Sequence, residues 1–234
     1  MESSIQKLVD DYYLHYYEKI HSNQQTMSRF SFHFQLESAR TPLENYPIVL
    51  EIGAGNSYHQ RFLKHDFEVY LLTDIRSIKD NLIPNIESGL IPQQPGIYKS
   101  IVDATQLPYP DGSVNRIISG CLLLHLDDQI STLKEWIRVL KPGGVIDTLI
   151  PNDQSFSIWL YRLVYSRRKS RKLGFNDFDL VNAFEHRSYY ERIFRLVAAS
   201  FPVQQFEFEH YPPVMGSVRF FRAFSILRIK KFVS

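Results

Sequence analysis

The fold is decided by Val49-Leu50-Glu51-Ile52-Gly53-Ala54-Gly55-Asn56-Ser57, an apolar run that enters a glycine-rich turn. A short apolar run that ends in glycine predicts a buried β-strand, here over residues 48–52. Glycine permits backbone angles that other residues avoid, and it lets a ligand approach the main chain. The sequence therefore predicts a strand, a tight turn at which a ligand can bind, and then a helix.

Four similar apolar segments follow, separated by turn-rich or helical stretches. We expect strands at 68–73, 97–102, 114–119 and 145–150. The clearest helix lies between the last two, where Asp127 or Asp128 can cap it and the run at 141–144 ends it. Its inner face is apolar at helical spacing, through Ile130, Leu133, Trp136, Ile137 and Leu140. Strands that alternate with helices predict an α/β fold with a doubly wound parallel sheet.

Weaker patterns cover the two ends of the chain. An apolar-aromatic face that includes Tyr13 and Tyr17 predicts an N-terminal helix, and a second helix through Phe30 and Phe34 should stop at Pro42. After the fifth strand, helices are expected near 155–166 and 187–200. Two late strands, near 203–209 and 218–228, complete a sheet of seven.

Composition is that of one ordinary domain. The chain has 234 residues, of which 44% are hydrophobic and 22% charged, so it can bury a sizeable core. We treat 1–234 as a single domain, with 1–45 as a helical cover, 46–151 as the core and 152–234 as further helices and the last strands. The single cysteine, Cys121, excludes an intramolecular disulfide and fits a reducing compartment. The N-terminus lacks a secretory pattern, so we expect a cytoplasmic protein.

The net charge of +2 is the sum of two unlike parts. Residues 1–150 hold 13 Lys and Arg against 18 Asp and Glu, whereas residues 151–234 hold 14 against 7. A basic C-terminal third indicates contact with something anionic.

Carboxylates follow the second and third predicted strands. Asp74 lies 21 residues after Gly53, where a carboxylate can accept hydrogen bonds from two ribose hydroxyls, and Asp103-Ala104 follows the next strand. A dinucleotide fingerprint needs a third glycine at position 58, where this chain has Tyr58. A nicotinamide-dependent oxidoreductase is therefore disfavoured.

These motifs together resemble a known family. Glu51-x-Gly53-x-Gly55, Asp74, Asp103-Ala104 and Leu140-Lys141-Pro142-Gly143-Gly144 look like the ordered motifs of class I S-adenosylmethionine-dependent methyltransferases. The resemblance covers residues 46–151 and implies a Rossmann-like doubly wound seven-stranded sheet, with N-terminal helices and a helical insert after the fifth strand. It also implies S-adenosyl-L-methionine as the cofactor.

The resemblance assigns roles to matching positions. Gly53 and Gly55 would leave room for the methionine part of the cofactor, and Glu51 would support that turn. Asp74 would bind the ribose and Ile75 the adenine face. Asp103 and the backbone of Ala104 would meet the adenine ring, and the main chain around Gly120 would receive the ammonium group. Departures from the family pattern are Ser57, where many members have glycine, and Asn115, where an acidic residue is common.

Two histidines are candidates for a general base, which a hydroxyl nucleophile would need. His125 follows the fourth strand at the ligand-facing edge of the sheet, and a free histidine has a pKa of about 6.5. His186 is the second candidate, and either residue could instead be structural. A metal route through Asp147, Asn152 and Asp153 is weaker, because no His/Cys cluster has ligand spacing. Cys121 fits a small buried residue better than a nucleophile.

The basic third suggests where an acceptor binds. Residues 155–172 are apolar and aromatic in their first half and carry five cations between Arg167 and Lys172. Three interpretations stay open: a core helix with a solvated end, a peripheral membrane contact, and a grip on phosphates. A nucleic-acid partner is disfavoured, because the isoelectric point is only about 8.5 and no recognition module is present.

The acceptor is predicted to be a small molecule or a glycan hydroxyl, with or without a phosphate carrier. Residues 182–188 are loosely similar to methyltransferases of bacterial surface-polysaccharide clusters, which implies O-methylation of a sugar. A lipid or quinone acceptor, or a noncatalytic partner that keeps the fold, are the alternatives.

Overall fold

Seven strands make one sheet in the computed structural model, which describes residues 2–21, 33–55, 59–78, 81–213, 218 and 220–232. The strands are β1 (Ile48–Ile52), β2 (Val69–Asp74), β3 (Gly96–Ile101), β4 (Val114–Gly120), β5 (Leu140–Pro151), β6 (Phe206–Tyr211) and β7 (Phe224–Lys230). Their order is β3-β2-β1-β4-β5-β7-β6. Strands β1 to β5 pair in parallel, and β7 pairs antiparallel with both β5 and β6. The predicted seven-stranded α/β sheet is confirmed.

Helices cover the sheet and its carboxyl edge. They are α1 (Glu2–Asp11), α2 (Tyr17–His21), α3 (Gln129–Val139), α4 (Phe156–Tyr161), α5 (Arg167–Lys172), α6 (Phe178–Glu185) and α7 (Tyr190–Ser200). A π-helical turn at Tyr12–Tyr16 joins α1 to α2, and another at Arg162–Ser166 joins α4 to α5. Of the two predicted caps of α3, Asp128 is the one whose side chain accepts a hydrogen bond from the Ser131 backbone.

The central strand is apolar throughout because both of its faces are covered. Leu50 and Ile52 belong to one core cluster, which includes Trp136 of α3, and Val49 belongs to the cluster on the opposite face. All three side chains are buried. A parallel strand covered on both faces reads as a continuous apolar run rather than an alternating one.

Several predicted boundaries are wrong. Strand β5 begins at Leu140 rather than at 145, because Leu140 pairs with Val114 and the Lys-Pro-Gly-Gly run is absorbed at a register shift in the β4–β5 ladder. Strand β7 begins at Phe224 rather than at 218. Helix α6 was not predicted, and the helix expected to end near 166 continues to Lys172 through its π-helical turn.

The predicted N-terminal helix is confirmed, but the second helix is only a helical turn at 33–36, and Phe30 lies outside the described residues. After the glycine turn the described chain resumes with a short 3-10 helix at His59–Phe62. Ser57 and Tyr58 also lie outside the described residues.

Candidate active site

A cavity of about 430 Å³, the first cavity, opens at the carboxyl ends of the parallel strands. Residues after β1, β2, β3 and β4 meet there, since parallel strands end at the same edge of the sheet. Seven of the eight residues predicted to hold the cofactor line this cavity: Gly53, Gly55, Asp74, Ile75, Asp103, Ala104 and Gly120.

The turn after β1 has a backbone that favours glycine. Gly53 has a φ of +72° and Gly55 a φ of +54°, both in the left-handed region. The backbone N–H groups of Gly53 and Ala54 donate to the Thr73 carbonyl at 2.8 and 3.0 Å, which ties the turn to the end of β2. These hydrogen bonds fix the backbone of the turn, while Gly53 and Gly55 still line the cavity and can contact a ligand.

Asp74 keeps acceptor capacity on both of its carboxylate oxygens. Oδ2 accepts from the Gly55 backbone at 3.0 Å and Oδ1 from the Arg76 backbone at 2.9 Å. A carboxylate oxygen has two lone-pair sites, so each oxygen can accept one more hydrogen bond. Asp74 can therefore hold the glycine turn and bind a pair of hydroxyls.

Asp103 is exposed and held in one orientation. Its Oδ1 accepts from the Thr105 backbone at 2.8 Å and from the Thr105 hydroxyl at 2.7 Å. Within the described part of the chain, its Oδ2 takes no donor. Behind it, the Trp136 indole donates to the Ala104 carbonyl at 2.9 Å, which anchors this loop to α3.

Glu51, the eighth residue, is buried and does not line the cavity. Its Oε2 accepts from the Tyr70 hydroxyl at 2.7 Å, and its backbone carbonyl accepts from Thr73 Oγ1 at 2.9 Å. Burial raises the pKa of the Glu51 carboxyl. The side chain lies behind the turn, between β1 and β2.

A second cavity of about 280 Å³ adjoins the first. Five residues line both: Tyr13, Tyr17, Cys121, His125 and Glu185. Five of the sixteen residues that line the second cavity are Tyr or Phe, and its wall includes residues of α4, the π-helical turn and α6. The N-terminal helices thus cover the place where the cavities meet.

His186 stands in the second cavity with a carboxylate behind it. Its Nδ1 is hydrogen-bonded to Asp153 Oδ2, and Arg162 donates to Asp153 Oδ1 at 2.8 Å. Burial alone would raise the pKa of Asp153, but the hydrogen bond from His186 and the charge of Arg162 lower it. With Nδ1 donating to the carboxylate, Nε2 of His186 is left as a proton acceptor.

His125 lines both cavities but is in a different environment. Its ring packs edge-on against His186, with centroids 4.8 Å apart, and its Nδ1 lies 3.8 Å from Glu185 Oε2. Burial, with the neighbouring His186, lowers the pKa of His125 to about 4. His125 is therefore neutral at pH 7.

Asp147 is a structural residue and not the metal ligand that the sequence offered as a weaker interpretation. Its carboxylate is fully buried and accepts from Arg116 at 2.8 Å, from Arg228 at 2.7 Å and from Arg40 at 3.1 Å. Three cations around one carboxylate leave no room for a metal ion. Among the residues that the structure describes, no group of three or more His, Cys, Asp or Glu side chains could hold a metal.

Cys121 lies at the boundary of the cavities with a left-handed φ of 61°. Burial raises the pKa of its thiol to about 12, so the sulfur is not a thiolate at neutral pH. This agrees with the expectation of a small packed residue.

The sequence did not single out the contacts around Glu185. Tyr13 donates to Glu185 Oε2 at 2.8 Å, and the Arg76 guanidinium lies 3.7 Å from the centre of the Tyr13 ring. Two pairs of adjacent tyrosines at 12–13 and 16–17 make the N-terminal helix aromatic on more than one side. Aromatic residues on more than one side of the helix were the sequence signal that this helix covers a site as well as a core.

One family model, described as a methyltransferase domain, matches residues 50–146. This stretch contains the glycine turn, Asp74, Asp103, Gly120 and His125. This part of the chain is similar to a methyltransferase domain.

Curated relatives of this chain match over short segments. A ubiquinone/menaquinone biosynthesis C-methyltransferase of Desulfotalea psychrophila is 42% identical over 59 residues, which are 24% of each chain. A demethylmenaquinone methyltransferase of Staphylococcus epidermidis is 38% identical over 64 residues, 27% of this chain and 26% of that one. The chain thus matches about a quarter of the length of these relatives.

Solved structures share the fold over nearly the whole chain. A methyltransferase of Thermotoga maritima, described as a possible histamine N-methyltransferase, is 18% identical with a TM-score of 0.57, and the match covers 96% of this chain and 99% of that one. An S-adenosylmethionine-dependent methyltransferase of Mesorhizobium loti has a TM-score of 0.54 at 12% identity, and the match covers 84% of this chain and 96% of that one. The sheet and its helices have the same fold as these methyltransferases.

Proposed function

We propose that this protein transfers a methyl group from S-adenosyl-L-methionine to a hydroxyl of a small molecule or glycan held in the second cavity. The observation that carries the proposal is that the two cavities meet at Cys121 and His125. One cavity would hold the methyl donor and the other the acceptor. A shared boundary would let the two reacting groups approach while the covering helices keep water out.

The residues of the first cavity fit the donor. Asp74 has two acceptor positions for the ribose hydroxyls, and Asp103 Oδ2 is open to the adenine amino group. A Cβ atom added at Gly55 or Gly120 would have no atom within 4 Å, so these glycines leave space at the cavity wall. When bound, S-adenosylmethionine supplies a methyl group already activated on its sulfonium.

The second cavity fits a ring-shaped acceptor with polar groups. Tyr12, Tyr161 and Phe178 supply aromatic faces, and Glu185, Asp153 and Arg162 supply polar atoms along the same wall. Sugar rings and aromatic rings both pack on such faces. The similarity to polysaccharide-cluster enzymes and the quinone acceptors named for the curated relatives therefore remain two candidate chemistries for this site.

His186 is the residue that we assign as general base. Asp153 accepts a hydrogen bond from the Nδ1–H of His186, and Arg162 holds Asp153 in place. Nε2 of His186 can therefore accept a proton from an acceptor hydroxyl. His125 is a weaker base, because burial lowers its pKa to about 4. Its place beside His186, with the two rings packed edge-on, suits a positioning residue.

Calorimetry with S-adenosylhomocysteine tests the donor site. The double variant Asp74→Ala, Asp103→Ala should bind far more weakly than the parent. Asp177→Ala is the matched control, since Asp177 is exposed and its side chain makes no capping hydrogen bond. A parent chain that gives no heat with this ligand would instead support a noncatalytic protein that keeps the fold.

Methyl transfer from isotopically labelled donor tests the acceptor. A panel of monosaccharides, nucleotide-linked sugars, phenols and quinols, read by mass spectrometry, should give a labelled product with a hydroxyl compound. A product labelled only on a ring carbon of a quinol would overturn the hydroxyl assignment while leaving the methyltransferase assignment intact.

The base assignment has its own test once an acceptor is known. His186→Ala should lower kcat by roughly 10²–10⁴-fold, and Asp153→Asn should lower it by less while changing the pH profile. Donor affinity should stay near the parent value in both variants. If His125→Ala removes the acidic limb of the profile and His186→Ala does not, the base is His125.

A further inference from the structure

The helical segment from Phe156 to Lys172 presents one exposed face along its whole length. In its first half that face is apolar and consists of Phe156, Trp159, Leu160, Leu163 and Val164, which we call the apolar stripe. Their exposed fractions lie between 37% and 51%. The residues recur at spacings of three and four, as expected of one face of a helix.

Phe220 extends the apolar stripe sideways. Its ring stacks on Phe156 with centroids 5.1 Å apart and is 55% exposed, and its carbonyl accepts from the Phe156 backbone at 2.9 Å. Phe156 also stacks on Trp159 at 5.6 Å. Three aromatic rings therefore lie together at the surface, where a folded protein gains nothing by exposing them to water.

In its second half the same face is cationic. Arg168, Arg171 and Lys172 are exposed, and none of them forms an ion pair with any described acidic side chain. Arg167, by contrast, pairs with Asp179 at 2.8 Å. The exposed positions continue from Leu163 and Val164 to Arg168, Arg171 and Lys172, with Ser166 and Ser170 buried between them, so the cationic half of the exposed face follows the apolar half.

The opposite side of this segment is part of the acceptor site. Ile158, Tyr161, Arg162 and Ser166 line the second cavity. Whatever the exposed face binds is therefore one helix diameter from the acceptor.

We propose that this segment docks on the surface of an anionic lipid bilayer, with the apolar stripe at the boundary between headgroups and acyl chains and Arg168, Arg171 and Lys172 on lipid phosphates. Tryptophan, phenylalanine and leucine beside lysine and arginine are the composition that holds a helix in that boundary. No helix among the described residues is long and apolar enough to cross a membrane, so the contact is peripheral.

Charge decides between a bilayer and other occupants of this face. A second copy of the chain would cover the apolar stripe but would bring a second set of unpaired cations near the first. A nucleic acid would satisfy the cations but leave the apolar stripe in water. An anionic bilayer offers both an acyl region and phosphates.

The chain contains its own reporter for this test. It has two tryptophans, of which Trp136 is fully buried and Trp159 is 47% exposed. Adding vesicles that contain phosphatidylglycerol to the full chain should shift the Trp159 emission to shorter wavelengths, and lipids brominated on the acyl chain should quench it. Trp159→Phe should abolish both signals, since Trp136 stays in the core.

Two variants, each with a matched control, test the cationic half and the apolar half of the exposed face separately. Arg168→Gln, Arg171→Gln, Lys172→Gln should lose roughly a hundredfold in vesicle affinity, at about a tenfold change for every 1.4 kcal/mol and about 1 kcal/mol per cation. Its control is Lys134→Gln, Arg192→Gln, Arg195→Gln, which removes three exposed cations from α3 and α7. Leu160→Ser, Leu163→Ser should weaken binding and acyl-chain quenching, whereas Leu43→Ser, Leu82→Ser, two exposed leucines elsewhere, should not.

Vesicle binding tests the membrane proposal without any measurement of methyl transfer. No emission shift with any vesicle, or equal loss in a cation variant and its control, would overturn it. A blue shift that depends on protein concentration in the absence of vesicles would assign the face to a second copy instead. Circular dichroism establishes that each variant is folded, and cofactor binding is read separately, so failure here leaves the proposed enzyme function standing.

Discussion

His125 and His186 show that the surroundings of a histidine decide its chemistry. The centroids of their rings are 4.8 Å apart, yet His186 is hydrogen-bonded to Asp153, whereas His125 is half-buried and lies 3.8 Å from the Glu185 carboxylate. Two adjacent imidazoles disfavour a positive charge on both. In this pair the charge-stabilising partner belongs to His186, and His125 stays neutral.

The low pKa of His125 predicts a pH-dependent stability. Its pKa is about 4 when folded and 6.5 when exposed, so between those values the unfolded chain binds more protons and stability falls as pH falls. From pH 6.5 to about pH 5, His125 should cost the folded state about 1.5 kcal/mol. Urea unfolding of the parent and of His125→Gln across this range measures the difference.

His15→Gln, at an exposed histidine of the N-terminal helix, is the control for losing a histidine at the surface. If His125→Gln shows the same pH dependence as the parent, the burial of His125 contributes nothing and the prediction is wrong.

The ends of β1 and β4 both meet the first cavity through a glycine, but for different reasons. Gly53 has a left-handed φ, and an added Cβ would lie 3.1 Å from Leu122. Gly120 has no left-handed φ, and an added Cβ would enter open space. Gly53 is required because of its backbone conformation, whereas Gly120 is required only because it leaves space in the cavity.

Alanine at these two positions should therefore have separable effects. Gly53→Ala should lower the free energy of unfolding by about 1–2 kcal/mol, the cost of a left-handed backbone in an L-residue, and weaken donor binding with it. Gly120→Ala should change stability little and still weaken donor binding, because its methyl group occupies cavity space. Thermal melts and calorimetry on the same samples check both, and a strongly destabilised Gly120→Ala would contradict this account.

A buried ion cluster ties the N-terminal cover to the centre of the sheet. Arg116 on β4 is fully buried and donates to Glu37 at 2.7 and 3.1 Å and to Asp147 on β5 at 2.8 Å. Burial alone would raise the pKa of Glu37, but hydrogen bonds from His59 and Arg116 lower it to about 2. Residues far apart in sequence thus share one buried charged network.

Removing the central cation should destabilise the whole molecule. Arg116→Met leaves two buried carboxylates with fewer partners, which typically costs about 3–5 kcal/mol. Chemical denaturation measures the loss. The control is Arg187→Met, whose exposed pair with Asp127 should contribute less than about 1 kcal/mol. If both variants lose a similar free energy of unfolding, the buried cluster stabilises the protein no more than an exposed ion pair does.

The sequence by itself determined the sheet and seven of the residues that line the first cavity. Apolar runs with a period and length typical of buried strands, each followed by glycine or aspartate, are local signals. Parallel strands then bring those ends to one edge, so Gly53, Asp74 and Asp103 could be placed together from their positions along the chain.

Only the tertiary structure decided the second cavity and the role of each polar residue around it. Asp147 and Asp153 are six residues apart, but one is neutralised by three arginines in the core and the other orients His186. Tyr13, Arg162 and Glu185 come from three separate helices. Charges and rings separated by over a hundred residues interact through space, and their burial and pKa values depend on neighbours that no local pattern specifies.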